Sequence, residues 1–128
     1  MYKVEVTSEG AYRFNVKSKD YEFTVDANGK GVTPPDALLA SLGSCVGVYI
    51  RKYADGAKLE LGDFKITVEA DLGKKAPYYF RQINVKIDIK GAELDERRKN
   101  ALLAFIKNCP VHKTLKNDPA INVTFKTF

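Results

Sequence analysis

Apolar and polar residues alternate in three short stretches at the start of the chain: Tyr2-Val4-Val6, Tyr12-Phe14-Val16 and Tyr21-Phe23-Val25. A period of two is that of a strand covered on one face, so each stretch predicts a half-buried β-strand. Ser8-Glu9-Gly10 and Lys17-Ser18-Lys19-Asp20 separate them with turn-forming residues, which predicts a meander of hairpins. The stretch from Asp26 to Gly31 reads as the loop that ends it. The pattern then turns helical. Thr33 suits an N-cap, Pro34 a first helical turn and Asp36 the N3 position of an approximate capping box. The helix is expected to run to about Ala54 and to stop at Asp55-Gly56. Ala40, Gly43 or Ser44, and Gly47 line its middle with small residues. A glycine inside a helix costs about 1 kcal/mol relative to alanine. Close approach of a neighbouring helix or strand is therefore expected along this face.

Alternation returns in Phe64-Ile66-Val68 and in Ile83-Val85-Ile87-Ile89, which predict two long strands. Gly73-Lys-Lys-Ala-Pro77 connects them, so the pair reads as a long hairpin. A second helix is expected from near Glu93-Leu-Asp-Glu, whose acids suit the positive end of a helix dipole. Leu94, Ala101, Leu102, Phe105 and Ile106 supply its apolar face. Pro110 cannot continue that helix without losing a hydrogen bond and clashing with the carbonyl of Ile106, so the chain must kink or restart at Cys109. A short turn from Val111 to Lys116 then leads to a last strand carrying Ile121, Val123 and Phe125. The expected order is β-β-β-α-β-β-α-β. That is an α+β fold with mainly antiparallel strands, read as one domain over residues 1–128.

Composition narrows the function classes. The 128 residues are 45% hydrophobic, as in a globular domain. The net charge of +5 is spread along the chain, with no basic run above three and no glycine-aromatic RNA-binding signature, so no nucleic-acid partner is expected. The apolar-to-small run Ala37 to Ile50 is too short to span a bilayer, and the N-terminus does not resemble a signal peptide. A cytoplasmic location with no membrane partner is expected. Stable structural disulfides are uncommon there.

The two cysteines, Cys45 and Cys109, sit in the two most distinctive stretches, T-P-P-D-A-L-L-A-S-L-G-S-C and N-C-P-V-H-K-T-L. The residue before a proline is pushed away from helical geometry. If a helical turn restarts at Pro110, Cys109 caps it. Its sulfur then meets free backbone N–H groups, which lowers a thiol's pKa, and His112 adds positive charge when protonated. Cys109 is equally readable as a buried small residue, and Cys45 as a filler in a tight helix interface. Cys45, Cys109 and His112 would give three zinc ligands, but no fourth is evident, so no metal or other cofactor is expected. A Cys-His acyl-transfer pair lacks an orienting third group.

Both stretches resemble a known family, the OsmC and organic hydroperoxide resistance proteins. T-P-P-D-A-L-L-A-S-L-G-S-C is similar to the family's P-x-E-L-L-L-A-S-L-G-G-C, and C-P-V-H-K-T-L matches around the second cysteine. The element order and the hairpin with Y-F-R-Q-I-N-V-K-I also fit, and the short chain looks most like the small OsmC-like subgroup. The resemblance implies an intertwined homodimer with active sites at the subunit interface. It also implies reduction of organic hydroperoxides without metal or haem, in oxidative-stress defence. Cys45 would be the peroxidatic cysteine and Cys109 the resolving one, with an external dithiol, lipoyl-type in family members, as reductant. The family's peroxidases hold an arginine with a glutamate beside the thiolate. Asp36 stands where the small subgroup has its glutamate, and Arg13 is the nearest analogue of the arginine, with Arg81 as an alternative. Nine residues of helix separate Asp36 from Cys45 by about 13 Å of rise, so Asp36 could act only through an arginine or across a dimer. Its other role is that of a helix cap. The alternative to an enzyme is a non-catalytic dimer of this fold that binds a small apolar ligand or senses redox state.

Overall fold

The three alternating stretches pair as expected. In the structure, a computed structural model describing residues 1–90 and 94–127, they form β1 (Glu5–Ser8), β2 (Arg13–Lys17) and β3 (Glu22–Asp26). The sheet has the order β1-β2-β3 and is antiparallel throughout. Register places Val6 opposite Val16, Val16 opposite Phe23, and Phe14 opposite Val25, so the apolar set shares one face. Tyr2 and Val4 precede the ladder and are exposed. Asp26 then closes a turn, accepting from the Asn28 N–H (2.8 Å), with Gly29 at φ +83°. The chain forms two compact units, Met1–Ala40 and Ser41–Phe128. Within the first, Val25 is the one buried side chain among the described residues.

Helix α1 (Pro34–Ala57) starts in the first unit and continues into the second. The Asp36 N–H donates to Thr33 Oγ1 (3.3 Å), which is the expected cap. The helix runs past the expected stop at Asp55-Gly56. It ends instead in a Schellman turn, with Lys58 at φ +55° and bonds from Leu59 N to Ala54 O (2.8 Å) and Lys58 N to Asp55 O (3.3 Å). One glycine did not break the helix, because the left-handed residue that releases the chain lies two positions further on.

The second unit holds the core. Strands β4 (Phe64–Ala70) and β5 (Ile83–Ile89) pair antiparallel, with Val68 opposite Val85, Ile66 opposite Ile87 and Phe64 opposite Ile89. Their apolar face meets Leu42, Val46 and Ile50 of α1, spaced one helical turn apart. A Cβ on Gly43 would lie 3.0 Å from Val68 Cγ2, and one on Gly47 3.3 Å from Ile66 Cδ1. The two costly glycines thus let α1 lie directly against β4. Arg51 fixes the return of the chain: its guanidinium donates to the carbonyls of Leu61 (3.2 Å) and Gly62 (3.5 Å) and stacks over Phe64.

Helix α2 (Glu96–Ile106) is capped by Asp95, whose carboxylate accepts from the Arg98 N–H at 2.8 Å. Its start therefore falls after the expected one, and Glu93 lies outside the described residues. Leu102 and Ile106 enter the core, Leu94 packs against it, and Phe105 contacts both Tyr49 and Tyr53. Ala101, expected on the same face, is exposed. The expected turn after Cys109 is a third helix, α3 (Pro110–Lys116), so two helices stand where one was expected. Residues 118–127 form no strand in this chain, and Ile121, Val123 and Phe125 are 84, 88 and 91% exposed. Their alternation is that of a strand, but no neighbouring strand pairs with it among the described residues. The α+β class and the antiparallel pairing stand.

Candidate functional site

Two features of the second unit converge on one point. Gly43 and Gly47 set α1 against the hairpin and thereby fix the residue between them, Cys45. Pro110 ends the α2 direction and makes Cys109 the N-cap of α3, with an extended ψ of 127°. The two sulfurs are joined in a disulfide across a sequence separation of 64 residues, with a Cα–Cα distance of 5.9 Å. That distance is ordinary for a disulfide-linked pair. The fold therefore assembles the pair that the sequence left apart.

The two halves of the bond differ in setting. Cys109 is fully buried (0% exposed), whereas Cys45 is half-buried. The His112 N–H donates to Cys109 Sγ at 3.5 Å, and the Cys109 N–H donates to the Ile106 carbonyl at 3.1 Å. The cap geometry read from Cys-Pro is therefore present. The role suggested for the His112 ring is not supported. Burial pushes its pKa below the usual 6.5, and Lys116, Lys107 and Lys113 push the same way, so the ring is neutral at neutral pH. Positive charge around this turn comes from lysines instead.

Each of the other candidate residues has its own setting. Arg13, on β2, is exposed and pairs with Glu9 (3.6 Å). Asp36, also in the first unit, occupies the first turn of α1, where its backbone N–H meets the Thr33 cap. Arg81 precedes β5, stacks over Tyr79 at 4.5 Å, and lines an open cavity of about 490 Å³ with Glu69, Asp71 and Asn84. Cys45 does not line that cavity. Among the described residues, no group of three or more His, Cys, Asp or Glu side chains is placed to hold a metal ion. No helix among them is long and apolar enough to cross a membrane. Sequence reasoning missed Ser41 and Val48, exposed neighbours of Cys45 one turn before and after it on α1. Their i−4 and i+3 spacing was the available signal.

Comparison with known proteins agrees with the fold. Among solved structures, the chain is similar to an OsmC-like protein from Mycoplasma pneumoniae, at 21% identity and a TM-score of 0.80, covering 92% of this chain and 89% of that one. A hypothetical protein from Aquifex aeolicus is similar at 24% identity and a TM-score of 0.78, with coverage of 92% and 89%. The organic hydroperoxide resistance protein OhrB of Bacillus subtilis is similar at 22% identity and a TM-score of 0.62, with coverage of 91% and 93%. At these identities the likeness is one of fold. No curated protein matches the chain. The family model described as OsmC-like protein matches residues 26–124, a span that contains both cysteines and all three helices. The chain belongs to the OsmC-like protein family.

Proposed function

We propose that this protein is a thiol-dependent peroxidase that reduces organic hydroperoxides, with Cys45 as nucleophile and Cys109 as resolving thiol. The observation that carries the reading is the Cys45–Cys109 disulfide, with one sulfur half-buried and the other capped inside the fold. In the first step the Cys45 thiolate attacks the O–O bond. An S–O bond forms, the alkoxide leaves and takes a proton to become an alcohol, and Cys45 is left as a sulfenic acid. The Cys109 thiolate then attacks that sulfur, the S–S bond forms and hydroxide leaves as water. An external dithiol restores both thiols by exchange. The net change is one hydroperoxide and one dithiol consumed, giving an alcohol, water and an oxidised dithiol.

Family membership and the relatives named for organic hydroperoxide resistance support this substrate class. Arg13 enters the proposal as the cation that stabilises the reacting thiolate, and Asp36 as the acid that acts through it. A cycle that needs free thiols suits the cytoplasm. Two copies are proposed to complete each other. The apolar face of the β1–β3 sheet has one buried residue, and the alternating segment at 121–125 has no strand partner among the described residues.

The test is intact mass and free-thiol count after one equivalent of cumene hydroperoxide. Loss of two hydrogens and of both thiols, reversed by a dithiol, is the expected result. Two unreacted thiols would reject the enzyme and favour a dimer that binds a ligand.

A further inference from the structure

The two sulfurs of the disulfide are not equally open to attack. Cys109 is 0% exposed in the turn between α2 and α3. Cys45 is half-buried on α1, and its helical neighbours Ser41 and Val48 are exposed. In thiol–disulfide exchange the incoming thiolate bonds to one sulfur only, and access and leaving-group acidity decide which.

We infer that the external dithiol attacks Cys45 Sγ, and that Cys109 is always the leaving group. The reductant's thiolate forms an S–S bond to Cys45 as the Cys45–Cys109 bond breaks, and the electron pair departs on Cys109 Sγ. Its second thiol, after losing a proton to solvent, closes on its own sulfur in the mixed disulfide. That step releases Cys45 as thiolate and the reductant as a cyclic or paired disulfide. The departing Cys109 sulfur is already met by the His112 N–H at 3.5 Å, and Lys107, Lys113 and Lys116 add positive charge around the same turn. Those contacts favour a leaving thiolate there, and none of them opens a path for attack at Cys109. The reductant therefore reaches the bond at Cys45, on α1. The inference rests on the proposed cycle for its place in turnover, but its test needs no peroxide.

The test starts from protein oxidised with diamide, pulsed with 2-mercaptoethanol, quenched with N-ethylmaleimide and mapped by peptide mass. The expected product carries mercaptoethanol on Cys45 and maleimide on Cys109, in about tenfold excess over the reverse. An equal or reversed distribution overturns the inference. The reduced single-cysteine variants give a second reading with Ellman's reagent. Cys109→Ser, which keeps Cys45, should label in the native state about tenfold faster than Cys45→Ser, which keeps Cys109. Equal rates would also overturn it. A pair that peroxide fails to oxidise would reject the peroxidase and leave this result intact.

Discussion

The two units of the chain meet the same physical demand in opposite ways. The second covers its hairpin with α1 and α2 and buries Leu42, Val46, Ile50, Leu102 and Ile106 together. The first aligns Val6, Phe14, Val16, Phe23 and Val25 on one face of a sheet and buries only Val25. A segment of about 40 residues rarely stabilises itself without a staple or a partner. The second unit carries the chemistry of the two cysteines, and the first carries Arg13 and Asp36. A complete apolar pattern thus specifies a face, whereas its cover can come from elsewhere.

The largest effect expected of any change falls on turnover. Cys45→Ser should abolish hydroperoxide reduction. Cys109→Ser should consume one equivalent and stop with Cys45 as a sulfenic acid, which dimedone labelling detects. Equal residual activity in the two variants would sink the division of roles. Arg13→Ala asks whether the first unit shares in the chemistry. A loss of about 100-fold in kcat/KM is expected if its charge stabilises the reacting oxygen. An unchanged value confines the chemistry to the second unit.

Stability sharpens the contrast further. Ile50→Ala, at a fully buried position, should cost about 3–4 kcal/mol in urea unfolding. Val25→Ala in the first unit should cost about 1–2 kcal/mol. A larger loss at Val25 than at Ile50 would invert the ranking of the two cores. Gly43→Ala should cost about 1–3 kcal/mol, because its Cβ would press on Val68 and the helix cannot back away without lifting Gly47 off Ile66.

The smallest effect concerns pH. The pKa of His112 is lower folded than unfolded, so the unfolded chain binds the proton more readily. Stability from this group is present above about 6.5 and is lost as pH falls from there toward the folded value. Thermal melts between pH 7.5 and 5.5 should show a shallower acid loss in His112→Gln than in the unaltered protein.

Much of this was legible because short-range rules were decisive. Period-two stretches became strands, Thr33-Pro34 opened α1, and Cys109-Pro110 made a cap. Three readings were not. The end of α1 depended on a left-handed Lys58, which no local residue type announces. Arg51 carries no signal in its neighbours along the chain, yet it ties α1 to the carbonyls of Leu61 and Gly62, partners that only the fold brings near. The segment with Ile121, Val123 and Phe125 has a strand's pattern, but pattern cannot name the strand beside it. The site was half legible. The contexts of the cysteines were visible in sequence, whereas their bond needed the fold to close 64 residues of separation.

The close seat of α1 on β4 also sets where motion can occur. Cys45 stands between two glycines whose positions leave no slack against Val68 and Ile66, so the helix that carries it acts as an anvil. Cys109 is carried by a turn and the seven-residue α3, which has no fully buried residue and meets the core through the partly buried Val111. In the proposed cycle, making and breaking the bond is expected to shift the short α3 end more than α1. Amide exchange should register the redox state at residues 107–117 and be silent along the middle of α1.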